Sequence, residues 1–305
     1  MSVAFLFPGQ GAQFVGMLSA YRNVPCVRSA VEEASDILNK DMWSLIEHGP
    51  MDVLSLTENT QPAMLLADVA LWRVFLHEGM IDKESDVWLA GHSLGEYAAL
   101  VAAQSLSFED ALRIVSYRAR VMQEAIPTGK GSMAAVLGMP AEKIVEICKR
   151  LSTPYAVVEA ANFNSSMQTV IGGHTEAVEK AILEIKNNGA KQVILLDVSV
   201  PSHTSLMNSA CEQMCSFLEE IDFSRPIYPV IHNLTADVCF DTSGIRKILV
   251  GQLSSPVRWV DTISFLLDQS VRRFVQCGPG SVMPGLLRKI PDIEVLLSSD
   301  YCRVF

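Results

Sequence analysis

Short apolar runs that stop at Gly or Pro recur along the chain, at residues 3–7, 87–90, 227–231 and 274–276. Each is too short for a helix and is bounded by turn residues, so each predicts a buried strand. Between them lie stretches of helical period, among them 62–77 and 108–125; Ser107 and Asp110 are placed to cap the first turn of the latter. Buried strands that alternate with helices predict an α/β body with a mostly parallel sheet and helices on both faces. The middle of the chain departs from this pattern. After Pro127, Gly129 and Gly131 come a strand (132–137), a helix (141–151), two strands (155–160 and 168–171), a helix (175–188) and a strand (192–198). That β-α-β-β-α-β order is ferredoxin-like. It predicts a small subdomain, 127–199, inserted into a large one made of 1–126 and 200–305, with the chain back in the body by Pro201.

Composition narrows the function classes. A chain of 305 residues with 49 % hydrophobic and 19 % charged residues can bury a large core and does not read as disordered. Its formal net charge is -10 and it has no run of five Lys or Arg, which argues against nucleic acid and anionic membrane as partners. The start, MSVAFLFPGQG, has no basic lead and meets Pro8 at once, unlike a signal peptide. No apolar stretch reaches the roughly 18 residues that span a bilayer. Seven cysteines without a CxxC pair fit free thiols in a reducing, cytoplasmic compartment, and Cys211 and Cys215 lack nearby histidines for a metal. No Walker A loop and no GxGxxG at a helix start is present, so no cofactor is expected.

The chemistry centres on Gly91-His92-Ser93-Leu94-Gly95, a G-x-S-x-G between an apolar strand and a helical run, EYAALVAA. In that context the motif predicts a sharp elbow that holds the Ser93 hydroxyl out at the sheet edge, with the Leu94 N–H at a helix N-terminus where it can meet an oxyanion. A hydroxyl needs a base. His92 is a poor one, because adjacent side chains diverge. His48 and His77 sit near helix ends, His174 starts a helix and His232 lies in or just after a strand. His203 follows a strand end and precedes a helix, where α/β folds collect catalytic groups, and is the candidate base; a satisfied structural histidine is the alternative. On the 108–125 helix, Arg118 falls on the apolar stripe of Ala111, Ile114, Val115, Val121 and Met122, whereas Arg113 and Arg120 do not. A buried arginine needs an anion. Either an internal acid or a substrate carboxylate held by a two-pronged contact satisfies it. Pro8-Gly9-Gln10-Gly11 and Gly278-Pro279-Gly280, each after a strand, are weaker candidates for contact with a ligand.

Taken in order, FPGQGAQ (from Phe7), TQPAMLLA (Thr60), GHSLGEYAALVAA (Gly91), YRARVMQEA (Tyr117), NFNS (Asn162), SVPSHTSLM (Ser199), HNLTA (His232), QLSSPVRW (Gln252) and CGPGSVMPGLL (Cys277) resemble the bacterial malonyl-CoA:acyl carrier protein transacylases and the related polyketide acyltransferases. The resemblance implies a hydrolase-like body with an inserted ferredoxin-like subdomain. It implies Ser93 as nucleophile, His203 as base and the Gln252 backbone carbonyl as the group that orients it, with no acid completing a triad. Arg118 would clamp the malonyl carboxylate, the backbone N–H groups of Gln10 and Leu94 would form the oxyanion hole, and His92 and Asn162 would complete the substrate-binding set. The implied substrate is malonyl-CoA, the partner an acyl carrier protein that brings its own phosphopantetheine, the enzyme a monomer. Ala12 stands where many relatives have Ser, and Pro284 interrupts the last glycine-containing turn. Pro201-Ser202 before the histidine favours malonyl over methylmalonyl. Lys130, Lys191, Arg288 and Lys289 are candidate contacts for an acidic carrier. An acyl hydrolase and an accessory, carrier-binding subunit of a malonate-processing complex are the competing readings.

Overall fold

The computed structural model describes residues 2–81, 86–198 and 200–301; Ser199, the last residue of the expected insert, lies outside them. The chain opens with β1 (Ser2–Phe7), α1 (Pro25–Leu38), α2 (Met42–His48), α3 (Met51–Leu54) and α4 (Thr57–His77). It continues through β2 (Asp86–Gly91), α5 (Gly95–Ala102), α6 (Phe108–Glu124), β3 (Gly131–Leu137), α7 (Ala141–Leu151), β4 (Val158–Ser165), β5 (Gln168–His174), α8 (Thr175–Asn187) and β6 (Gln192–Leu195). It closes with α9 (Asn208–Glu219), β7 (Val230–Ile231), α10 (Thr242–Gln252), α11 (Trp259–Asp268), β8 (Arg273–Gln276), α12 (Val282–Leu287) and β9 (Glu294–Leu297).

Two sheets result. One is five-stranded, order β7-β2-β1-β8-β9, and every pairing in it is parallel. Alternation along β1 shows why it needs cover on both faces: Phe5 and Phe7 enter one apolar cluster with α1, α4 and α6, while Ala4 and Leu6 enter another with α11 and α12. Each buried Phe contributes about 1.5–3 kcal/mol relative to exposure. The other sheet is four-stranded and antiparallel, order β4-β5-β3-β6. With α7 and α8 it has the β-α-β-β-α-β connectivity expected from the sequence. Here too alternation sorts the faces. Ala134 and Val136 of β3 pack under the helices, and Met133 and Ala135 turn the other way, where they line a cleft against the parallel body.

Several boundaries differ from expectation. Residue 62 was expected to open α4, yet the helix starts at Thr57 with Pro62 inside it. Buried side chains extend it backward: Asn59 Nδ2 donates to the Val53 carbonyl at 2.8 Å and Thr60 Oγ1 to the Leu54 carbonyl at 2.6 Å. The strand expected at 155–160 is displaced to Val158–Ser165, because Thr153 and Ala156 exchange backbone hydrogen bonds and close a turn first. β7 is confined to Val230–Ile231, since Pro229 offers the ladder no N–H and Ile227 is spent on the Ala103 carbonyl. β6 ends at Leu195, beyond which Leu196 and Val198 line the cleft.

Candidate active site

The elbow forms because β2 must turn sharply into α5 against the end of β1. A Cβ on Gly91 would lie 1.9 Å from the Gly95 carbonyl carbon, and one on Gly95 would lie 2.1 Å from the Phe7 oxygen, so both positions need glycine. Between them Ser93 takes a φ of 52°, in the left-handed region that non-glycine residues rarely adopt. Its N–H donates to Asn233 Oδ1 at 2.6 Å, and Asn233 Nδ2 donates to the Gly91 carbonyl at 2.6 Å. One buried amide thus braces both arms of the turn.

His203 sits in the loop that leads into α9, also at a left-handed φ of 64°. Its Nδ1 lies 2.8 Å from the Gln252 carbonyl oxygen, which can only accept, so Nδ1 carries the proton. Nε2 is then a free lone pair 2.7 Å from Ser93 Oγ, the geometry of a serine whose proton has somewhere to go. Burial, assisted by the positive Arg118, pushes the His203 pKa down to about 3. The ring is therefore neutral, and ready to accept a proton, at any ordinary pH.

Arg118 projects from α6 toward the same serine. It is 2 % exposed. Nη1 donates to Gln61 Oε1 at 2.8 Å, and Nη2 is 3.2 Å from Ser93 Oγ and 3.3 Å from Gln252 Oε1. Nε has no partner, and among the described residues no carboxylate forms an ion pair with this guanidinium. Burial lowers its pKa, while Tyr97, 5.7 Å beneath the guanidinium, and Glu96 push it back up. Of the two partners considered for this arginine, no internal acid occupies the first. The cation stands beside the nucleophile with uncharged groups as its hydrogen-bond partners, and the nearest acid, Glu96, reaches it only through the Gln252 amide.

These groups meet at a cleft of about 350 Å³ between the two sheets. The body supplies Ser93, Leu94, Arg118 and His203; the first βα loop adds Gly9, Gln10 and Gly11, because Gly9 abuts the His92 carbonyl. The antiparallel sheet supplies a mostly apolar wall of Met133, Ala135, Val170, Leu196 and Val198. His92 also lines the cleft; its Nε2 is 2.8 Å from Asn164 Oδ1, its ring lies 5.3 Å from Trp259, and burial lowers its pKa. Asn162 lines it from the bulge in β4, beside Val257. Gln252 does not line it, but its backbone reaches His203 and its side chain reaches Arg118. The structure thus gathers the expected nucleophile, base, arginine and oxyanion-hole residues around one serine, whereas Gly278-Pro279-Gly280 does not line the cleft.

Other members were not anticipated. Gln61 and Asn164 belong to segments quoted above, but their side-chain roles appear only in three dimensions. Glu96, Asn233 and His232 form a buried cluster behind the elbow. Glu96 Oε1 lies 2.7 Å from His232 Nδ1, and Oε2 accepts from the Asn233 N–H at 3.0 Å and from Gln252 Nε2 at 2.7 Å. An acid in the otherwise uncharged GEYAALVA helix is the one sign of the cluster along the chain, and it went unread.

Comparison with known proteins shows what the chain as a whole resembles. The chain is 44 % identical over 290 residues to a malonyl CoA-acyl carrier protein transacylase of Salmonella typhimurium, covering 95 % of this chain and 93 % of that one. It is 42 % identical over 289 residues to the protein of the same name from Bacillus subtilis, covering 94 % and 90 %. The solved malonyl CoA-acyl carrier protein transacylase of Coxiella burnetii superposes with a TM-score of 0.94 at 42 % identity, over 98 % of this chain and 94 % of that one. A type II PKS acyl-carrier protein in complex with its malonyl-transacylase matches at a TM-score of 0.93 and 42 % identity, over 97 % and 95 %. Residues 4–290 match the acyl transferase domain family, and the chain belongs to it.

Proposed function

We propose that this chain moves a malonyl group from malonyl-CoA to the phosphopantetheine thiol of an acyl carrier protein, through a malonyl-Ser93 intermediate, in fatty-acid or polyketide synthesis. The observation that carries the reading is Arg118: a buried cation 3.2 Å from the nucleophilic oxygen that forms no ion pair with any carboxylate among the described residues. A substrate with a carboxylate beyond its thioester satisfies it; a simple acyl group does not.

Ser93 Oγ attacks the thioester carbon as its proton passes to His203 Nε2. The backbone N–H groups of Gln10 and Leu94 receive the oxyanion, each worth about 3 kcal/mol in such sites. The C–S bond breaks, and coenzyme A leaves with the proton from His203. The carrier thiol then gives its proton to His203 and attacks the malonyl ester; the intermediate collapses, Ser93 recovers the proton, and the malonyl thioester departs on the carrier. His92 and Asn162 line the acyl site. In this reading residues 127–199 form the small subdomain, and the enzyme is a cytoplasmic monomer. Among the described residues no helix is long and apolar enough to cross a membrane.

Of the four cations considered for the carrier, Lys130 and Lys191 lie at opposite ends of β3, roughly 20 Å apart, and cannot form one patch. Lys191 packs on Gly138 at the end where Gln168 borders the cleft, and Arg288 and Lys289 follow α12, which borders it through Val282 and Leu286. Reversing the charge of Lys191 and Arg288 is expected to slow transfer to the carrier while acylation by malonyl-CoA is unchanged. Intact-mass measurement after mixing with malonyl-CoA tests the core of the reading: wild type gains one malonyl unit and Ser93→Ala does not. Free malonate in place of malonyl-carrier would identify a hydrolase. A serine that is never acylated would leave an accessory subunit.

A further inference from the structure

Glu96 is fully buried, three residues past the nucleophile, and is the sole acid on α5. Burying a carboxylate costs several kcal/mol unless donors meet its lone pairs. Three do, and two of them lead to a reacting group. Asn233, whose backbone N–H reaches Glu96, braces Ser93 and Gly91 with its side chain. Gln252, whose Nε2 reaches Glu96 and also the Ser93 carbonyl at 3.1 Å, holds His203 Nδ1 with its own backbone carbonyl. The Gln252 amide has only one orientation available. Glu96 accepts and Arg118 donates, so Nε2 faces the acid and Oε1 the guanidinium. The third donor site, His232 Nδ1, is itself fully buried and closes the far side of the carboxylate.

We propose that Glu96 is the positioning residue of this site: a buried carboxylate that fixes both Ser93 and His203 through Asn233 and Gln252. The inference rests on Ser93 as nucleophile and His203 as base. In a Ser-His-Asp arrangement the acid bonds the histidine directly. Here it stands one residue further back and reaches the histidine through Gln252. Glu96 does not line the cleft, so it acts on rate and not on substrate binding.

The test is single-turnover malonylation of Ser93 from malonyl-CoA, followed by rapid quench and intact mass. Glu96→Gln preserves shape but offers one acceptor oxygen where two are used, which strands a donor. The maximal rate is expected to fall roughly 10- to 100-fold, with the half-saturating malonyl-CoA concentration within about threefold of wild type. A merely structural role would not produce that split. Combining Glu96→Gln with Gln252→Met, which leaves the backbone carbonyl in place, should cost little more than the larger single loss; fully additive losses would overturn the proposal. Should Glu96→Gln not fold, Glu96→Asp, which keeps the buried anion opposite His232, is expected to show the same split with a smaller loss. A wild-type maximal rate in a folded Glu96 variant overturns the positioning role and leaves malonyl transfer standing. A wild type that is not acylated removes the proposed function itself, and the role of Glu96 with it.

Discussion

The two sheets contribute different things to one cleft. The parallel body brings every group that can carry charge or a proton at the serine: Ser93 at the end of β2, Arg118 on α6, His203 before α9, and the amides of Gln61, Asn233 and Gln252 behind them. The antiparallel sheet brings mainly a wall, in which Met133, Ala135 and Val170 are apolar and Asn162, Asn164 and Gln168 are the polar exceptions. Chemistry sits where backbone is held on both faces by packed helices. Shape selection sits on a sheet whose second face is open to the ligand.

Substitutions on the two sides should separate accordingly. The largest effect is expected in the body: Ser93→Ala abolishes the malonyl-enzyme, and His203→Ala lowers its rate of formation about 10³-fold, both read by single-turnover mass measurement. Arg118→Ala follows, with a loss of roughly 10²-fold in kcat/KM for malonyl-CoA and none for acetyl-CoA. An unchanged preference between the two thioesters would show that the cation does not read the substrate carboxylate.

A pH profile sharpens the same point. Burial first, and Arg118 second, hold the His203 pKa at about 3, far below its ordinary 6.5, so the base is neutral throughout the working range. In wild type, kcat/KM should be level as pH falls through 6.5, because the base protonates only near 3. Removing the Arg118 charge removes the second of three depressing causes, burial being the first and His92 the last, so in Arg118→Ala the acid limb should move upward. A limb at the same pH in both proteins would break the electrostatic link. The smallest effect is expected at the wall: Met133→Ala should change kcat/KM for malonyl-CoA by less than about tenfold and raise the rate with bulkier acyl groups. A loss as large as that at Arg118 would erase the division between the sheets.

Much of this was legible along the chain, for local reasons. The elbow is written in five consecutive residues with a strand before and a helix after. Arg118 betrayed itself by standing on an apolar stripe. The insert was readable because its strands and helices each announce themselves by period, although 155–160 slid to Val158–Ser165 once the Thr153 turn formed. What stayed hidden was long-range pairing of polar groups. Glu96 meets partners 136 to 156 residues away, and Gln61 meets Arg118 across 57. No periodicity encodes such distances. The same holds for Pro62, where buried bonds from Asn59 and Thr60 to the preceding turn outweighed the proline's preference for a helix start.

The crowding at Gly91 and Gly95 reaches further than the turn itself. With Gly95 seated on the last carbonyls of β1, the spot occupied by the nucleophilic oxygen is inherited from strand register and owes little to the freedom of one side chain. The reacting atom is therefore in place before any acyl group arrives. A single added methyl at either glycine would shift that coordinate without touching the hydroxyl.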